Sequence, residues 1–144
     1  MHVKTILSSK GDTTVITVTP DDAIADVAQT LAERRIGGVV VSTDGSDIAG
    51  ILSERDIVRS LALRGAVCLS ERVSDMMTRN PTCCRPDDSA HEVLQRMTDG
   101  RFRHMPVVDD GRLVGIVTIG DVVKARLQEL ALEKDALEGM VKGW

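Results

Sequence analysis

The sequence predicts a mixed α/β (α+β) fold of two tandem β-α-β-β-α units, followed by a long C-terminal helix. Three observations carry this. First, the chain repeats itself. An offset of 66 lays Pro86-Asp87-Asp88 on Pro20-Asp21-Asp22, Val93 on Val27, Gln95 on Gln29, Arg101 on Arg35, Val107 on Val41 and Asp110-Gly111 on Asp44-Gly45. An offset of 65 then lays Gly115-Ile116 on Gly50-Ile51 and Asp121 on Asp56. Second, the hydrophobic period changes in the same order in both copies, from a β-branched run to helical spacing to paired strands. Third, 144 residues that are 42% hydrophobic and 28% charged have a globular balance. A unit of about sixty residues is marginal alone, so the copies should pack together.

Upstream of the first copy, Val3-Lys4-Thr5-Ile6-Leu7 resembles Val73-Ser74-Asp75-Met76-Met77. The run Val15-Ile16-Thr17-Val18, and its counterpart Thr82-Cys83-Cys84-Arg85, predict a short strand ending before a proline. After Pro20 and Pro86 the paired aspartates are expected to cap a helix. There Ile24, Val27, Ala28 and Leu31, or Ala90, Val93, Leu94 and Met97, recur at helical spacing. Two strands then meet at an Asp-Gly turn, residues 39–41 with 48–52 and residues 105–108 with 113–117. The extra residue of the first copy falls in the loop Asp44-Gly45-Ser46-Asp47, where a hairpin tip tolerates insertion. A second helix begins near Asp56 and near Asp121.

The last helix is expected over residues 122–141, with Val123, Leu127, Leu130, Leu137 and Val141 on a heptad seam interrupted by Lys134. Such a stripe either packs on its own core or pairs with a second subunit. A helix projecting past a small domain has little of its own chain to cover, which favours a homodimer. The units are residues 1–65, residues 66–128 and a helical extension, residues 129–144.

A net charge of -4 leaves no surplus of lysine or arginine for a phosphate backbone or an anionic membrane. Phe102 and Trp144 are the only aromatic residues, too few for stacking bases. The N-terminus lacks the apolar run of a signal peptide and no stretch approaches a membrane span, so a cytoplasmic location is expected. Cys68, Cys83 and Cys84 are odd in number and lack Cys-x-x-Cys spacing, which suits packing rather than a disulfide framework or a zinc site. His2, His91 and His104 are scattered, His91-Glu92 lacks a second histidine, and no phosphate loop occurs. Neither an enzyme nor a metal site is expected.

The sharpest constellation is Gly50-Ile51-Leu52-Ser53-Glu54-Arg55-Asp56, matched by Gly115-Ile116-Val117-Thr118-Ile119-Gly120-Asp121. A hydroxyl followed three residues later by an acid is close to a capping box, which satisfies orphan N–H groups without a ligand. Alternatively the hydroxyl and free amides meet a phosphate, the carboxylate of Asp56 or Asp121 accepts the two hydroxyls of a ribose, and the preceding apolar strand walls a purine. The residues alone leave both readings open.

This order, with the twice-present Gly-x-x-Ser/Thr-x-x-Asp segment and the run Phe102-Arg103-His104-Met105-Pro106-Val107-Val108-Asp109, resembles a tandem CBS-domain pair, or Bateman module, over nearly all of residues 1–127. The resemblance implies two motifs related by a pseudo-twofold axis, with clefts for adenosyl ligands such as AMP, ADP, ATP, NAD or S-adenosylmethionine. It also implies a dimer, no catalysis, and a regulated partner protein on another chain. Carried over residue by residue, Asp56 and Asp121 hold ribose, Ser53 and Thr118 lie by phosphate, and Arg103 and His104 reach phosphate. Thr82, Arg101, Met105 and Pro106 join the candidate ligand contacts, with Arg55 or Arg35 as a substitute cation where the first copy has Gly37-Gly38. The two copies are therefore expected to bind phosphate unequally. The rival reading is a ligand-free interaction and dimerisation module.

Overall fold

The computed structural model describes residues 1–11 and 15–142. In the first copy β1 (Thr17–Val18) pairs in parallel with β2 (Gly38–Val41), and β2 pairs antiparallel with β3 (Gly50–Ser53), Val40 opposite Ile51. The crossover between β1 and β2 is α2 (Ile24–Arg34), which buries Ile24, Val27 and Leu31, the stripe its spacing predicts. α3 (Glu54–Arg64) follows β3 directly. The second copy repeats this with α5 (Ala90–Gly100), β5 (His104–Asp109), β6 (Arg112–Thr118) and α6 (Ile119–Val141). Its hairpin turns through Asp110 and Gly111, at φ 54° and 78°. Two successive left-handed residues match the twist of the strands they join.

Three expectations are corrected. The strand expected over Thr82-Cys83-Cys84-Arg85 shrinks to one parallel bridge, Cys84 with Val107, the counterpart of Val18 with Val41. Cys84 N–H donates to Pro106 O at 3.0 Å, but Pro106 has no N–H to carry the ladder back towards Thr82. The paired aspartates do not cap helices. Position N-cap is Ala23 for α2 and Ser89 for α5, and Ser89 Oγ accepts from Glu92 N–H at 3.1 Å. Asp22 instead accepts from Thr19 N–H and Asp88 from Arg85 N–H, each at 2.9 Å, so these carboxylates close the turn leading to the helix. The last helix begins at Ile119, three residues before Val122, because Thr118 is its cap.

Two cores form, and each contains a piece of the other copy. Val18, Ile24, Val27, Leu31, Leu52 and Ile57 of the first copy enclose Val73, from the short helix α4 (Val73–Met76). Val93, Met97, Met105, Val107, Val117 and Val122 of the second enclose Val3 and Ile6, from α1 (Val3–Ser9). The exchange is symmetric down to single bonds. Ile24 N–H donates to Glu71 O as Ala90 N–H does to Met1 O, both at 2.9 Å, and Val73 N–H to Asp22 O as Val3 N–H to Asp88 O, both at 2.9 Å. The crossing segments also demand the repeated glycine. A Cβ at Gly50 would lie 2.7 Å from Thr78 O, and one at Gly115 would lie 2.8 Å from Leu7 Cδ2.

After α4 the chain forms β4 (Thr78–Arg79), which adds to the first sheet against Gly50 and Ile51, giving the order β1-β2-β3-β4. After α1 no such strand follows among the described residues, so the second sheet is β5-β6. Positions 38 and 104, equivalent by the offset of 66, meet at the pseudo-twofold axis. The His104 ring lies over Gly38, where a Cβ would sit 3.0 Å from Cδ2 and 3.1 Å from Cγ.

Gly38→Ala should therefore cost about 1–2 kcal/mol in urea unfolding, because the ring must give way. In the His104→Ala background the same change should be near neutral or slightly stabilising. Equal costs in both backgrounds would show that the ring does not close this position.

Candidate functional site

At the end of β3 the Ser53 side chain caps α3. Ser53 Oγ accepts from Asp56 N–H at 3.3 Å, while Asp56 Oδ2 accepts from Ser53 N–H at 2.9 Å and from Ser53 Oγ at 3.1 Å. The capping box is thus present, and it engages one carboxylate oxygen. The other, Oδ1, has Arg59 Nη1 at 4.0 Å. The second copy has the same box, with Asp121 Oδ2 accepting from Thr118 N–H at 2.9 Å and Thr118 Oγ1 accepting from Asp121 N–H at 3.2 Å.

The two carboxylates differ in what else they meet. Lys10 Nζ donates to Asp121 Oδ2 at 2.8 Å and to Ile116 O at 3.2 Å. Burial pushes the Asp121 carboxyl up, but hydrogen bonds from Lys10 and Thr118 and the lysine charge outweigh it, so Asp121 titrates below its ordinary value. Lys10 is the counterpart of Asn80 by the offset of 70 that relates Val3 to Val73. Where β4 runs beside Ile51, the lysine ammonium takes the Ile116 carbonyl instead.

A cavity of about 370 Å³ opens at Asp56, on the seam between the copies. From the first copy it is lined by Ser53, Arg55 and Asp56, and from the second by Thr82, Arg101, Arg103 and His104. These candidates, split between two stretches of sequence, meet in one place. Met105 and Pro106 do not line it, and both are buried, Met105 in the second core. Thr118 and Asp121 lie outside it too, beside Lys10.

Further lining comes from residues that sequence reasoning did not select. Ile51 forms part of the wall, Glu54 and Arg59 project from α3, and Thr78, Asn80 and Pro81 enter from the connection between the copies. Asn80-Pro81 is a turn signal that could have drawn attention to this connection, and Asn80 is left-handed at φ 50°. Arg101 is left-handed as well, at φ 56°, as the residue that ends α5. Four arginines, Arg55, Arg59, Arg101 and Arg103, face two carboxylates, Asp56 and Glu54, so the lining carries excess positive charge.

Burial lowers the titration of His104, and Arg103 and Lys10 add to this against the pull of Glu54 and Asp121. Its imidazole is therefore neutral at pH 7. Cys84 is pushed up to about 12 by burial and by Asp88, and burial also raises Cys83, so both are neutral thiols at pH 7. Among the described residues no cluster of His, Cys, Asp and Glu could hold a metal ion. Nor does any of those helices have the length and apolarity to cross a membrane.

Fold and cleft together define a module of two paired motifs with a cavity at their seam. A family model for the CBS domain matches residues 4–63 and 73–128, and the chain belongs to this family as a tandem pair. It is 32% identical over 148 residues to the CBS domain-containing protein CBSX3, mitochondrial, of Arabidopsis thaliana, covering 98% of this chain and 72% of that one. It spans only about a quarter of several other curated relatives from that plant. Among solved structures it resembles the CBS-domain protein ATU1752 from Agrobacterium tumefaciens, with TM-score 0.83 and 45% identity over 88% of this chain and 99% of that one. The CBS pair of protein MJ0100, in complex with 5'-methylthioadenosine and S-adenosyl-L-methionine, has TM-score 0.78 and 27% identity over 90% and 98% of the chains. PAE2072 from Pyrobaculum aerophilum, complexed with AMP, also has TM-score 0.78 and 27% identity, over 92% and 99%.

The His104 environment has a readable consequence. With the folded-state value below the ordinary 6.5, the unfolded chain binds the proton better. This contribution to stability is full above pH 6.5 and lost as the pH falls through the folded value. The stability difference between the parent and His104→Gln, measured by urea unfolding from pH 7.5 downward, should shift against the parent below pH 6.5. A pH-independent difference would contradict the assigned environment.

Proposed function

We propose that this chain is a regulatory module that binds an adenosine-containing nucleotide at the seam of its two CBS motifs, without turnover, and signals to a separate partner protein. The observation that carries this reading is the meeting of Asp56, from one copy, with Arg103 and His104, from the other, around one cavity. The open Asp56 oxygen suits the hydroxyls of a ribose, Ile51 offers an apolar wall for the base, and the arginines suit a phosphate through their fixed donor fork. A ligand spanning the seam would tie the copies together, which gives binding a mechanical output. The complexes of MJ0100 and PAE2072 share an adenosine unit, which supports AMP, ADP, ATP or NAD as the ligand class.

Residues 1–65, 66–128 and 129–144 are the proposed units, of which residues 12–14 and 143–144 lie outside the described residues. The three free thiols suit a reducing compartment, and the cytoplasm is the proposed location. The exposed stripe of α6 supports a homodimer. A second reading, a ligand-free interaction module, draws support from the capping boxes, which are complete without a ligand.

Calorimetry with AMP and adenosine tests the assignment. A charge-assisted hydrogen bond contributes about 1.5–3 kcal/mol, so Arg103→Ala should weaken AMP by roughly tenfold or more and leave adenosine nearly unchanged. Asp56→Asn should weaken both, while Asp121→Asn should weaken neither, because Asp121 holds Lys10 and lies outside the cavity. Equal losses for both ligands in Arg103→Ala would remove this arginine from phosphate binding. No heat with any adenosine nucleotide would favour the interaction module, and steady hydrolysis of ATP would overturn the absence of turnover.

A further inference from the structure

Helix α6 outruns the body that supports it. Its buried residues, Val122 and Ala125, lie in the first two turns. Glu129 ties the helix to the body through the Met1 ammonium, 3.1 Å from its Oε1, while Arg126 of the same helix places Nη1 2.9 Å from its Oε2. Every residue from 130 to 138 is exposed. On one side of the helix lie Val123, Leu127, Leu130, Leu137 and Val141, with Leu127 and Leu137 each 62% accessible. Leu130, Lys134, Leu137 and Val141 border a shallow hollow along this face, open to solvent.

We propose that this face is covered by α6 of a second copy of the chain, running antiparallel. The proposal rests on the homodimer reading and adds its geometry. Heptad positions decide the direction. In a parallel pair identical positions oppose one another, so Lys134 would meet Lys134 in the apolar seam and Glu133 would face Glu138 of the partner subunit. Both contacts are repulsive. In an antiparallel pair centred near residue 132, Val123 meets Val141 of the partner subunit, Leu127 meets Leu137 of the partner subunit, and Leu130 lies beside Lys134 of the partner subunit. The hollow then receives Leu127 and Leu130 of the partner subunit as knobs. The flanking charges favour this direction on balance, since near the axis Glu133 faces Glu133 of the partner subunit once, against two attractive contacts. Exposed Lys124 falls opposite Glu138 of the partner subunit, and symmetry makes this contact twice. The partner is thus chosen by an apolar seam and by opposed charges that a parallel pair would place in conflict.

The test uses the full chain in a Cys83→Ser background. Sedimentation first establishes whether the 15.6 kDa chain is a dimer, and a monomer would remove the homodimer reading and this proposal with it. Leu127→Cys and Leu137→Cys chains, one carrying a size tag, are then mixed and mildly oxidised, and remaining thiols are alkylated before non-reducing electrophoresis. Antiparallel pairing predicts a cross-link between the two different variants and none within Leu127→Cys alone, whose cysteines would lie roughly 15 Å apart along the helices, beyond disulfide reach. A Leu127→Cys cross-link to itself would mean a parallel pair. A dimer with no cross-link would place the interface elsewhere, and both results overturn the proposal while leaving the homodimer intact. As a second measurement, Lys124→Glu should weaken dimerisation by roughly tenfold, and Lys124→Glu with Glu138→Lys should restore it, since two ion pairs are reversed together. No recovery in the double variant would also count against the antiparallel register.

Discussion

A copy of about sixty residues buries too little surface to hold its sheet and helices together, and in this chain each copy is completed by a segment that precedes the other. Val73 is fully buried among first-copy residues, and Val3 and Ile6 among second-copy residues. Full burial of an aliphatic side chain is worth about 1.5–3 kcal/mol, so neither core is independent of the other's leader helix. The glycines at 50 and 115 follow from the same exchange, because Thr78 and Leu7 pass where their Cβ atoms would stand. So does the position of the cavity. The segment leaving α4 carries Thr78, Asn80 and Pro81 to the end of β3, where Asp56 begins its helix with one carboxylate oxygen outside the capping box.

The symmetry that builds the body is broken at the seam between the copies. At the axis one copy presents the His104 ring and the other presents Gly38, because two rings would not fit against one another. The basic run of the second copy therefore faces the glycines of the first, and Arg103 joins Asp56 rather than the aspartate of its own copy. The leader segments are also unequal. One continues as β4, while the other ends in Lys10, whose ammonium takes up Asp121 and the Ile116 carbonyl. From two equivalent carboxylates, one thus borders an open cavity and the other is neutralised within the chain.

Much of this was legible in the sequence. The repeat located both helices of each copy, the turn at Asp110-Gly111 and the hydroxyl-to-acid spacing at both helix starts, because these depend on neighbours a few residues away. That no strand forms at Thr82 was not legible, since what stops it is the missing N–H of Pro106 on another strand. The paired aspartates misled because one short acid can close a turn or cap a helix, and Ser89 took the cap in α5. Most of all, a repeat states which residues are equivalent and not which are adjacent. Nothing local says that Arg103 belongs with Asp56, that Met105 turns into the core, or that Lys10 reaches Asp121.

The central claim is that one adenosine nucleotide sits across the seam, held from both copies. Backbone amide shifts during an AMP titration test it most directly, because they report position without altering the protein. The account predicts saturable shifts at residues 53–56 and 101–104 with one common binding constant, and small changes at residues 118–121. Shifts confined to one copy, or centred on residues 118–121 and Lys10, would contradict it.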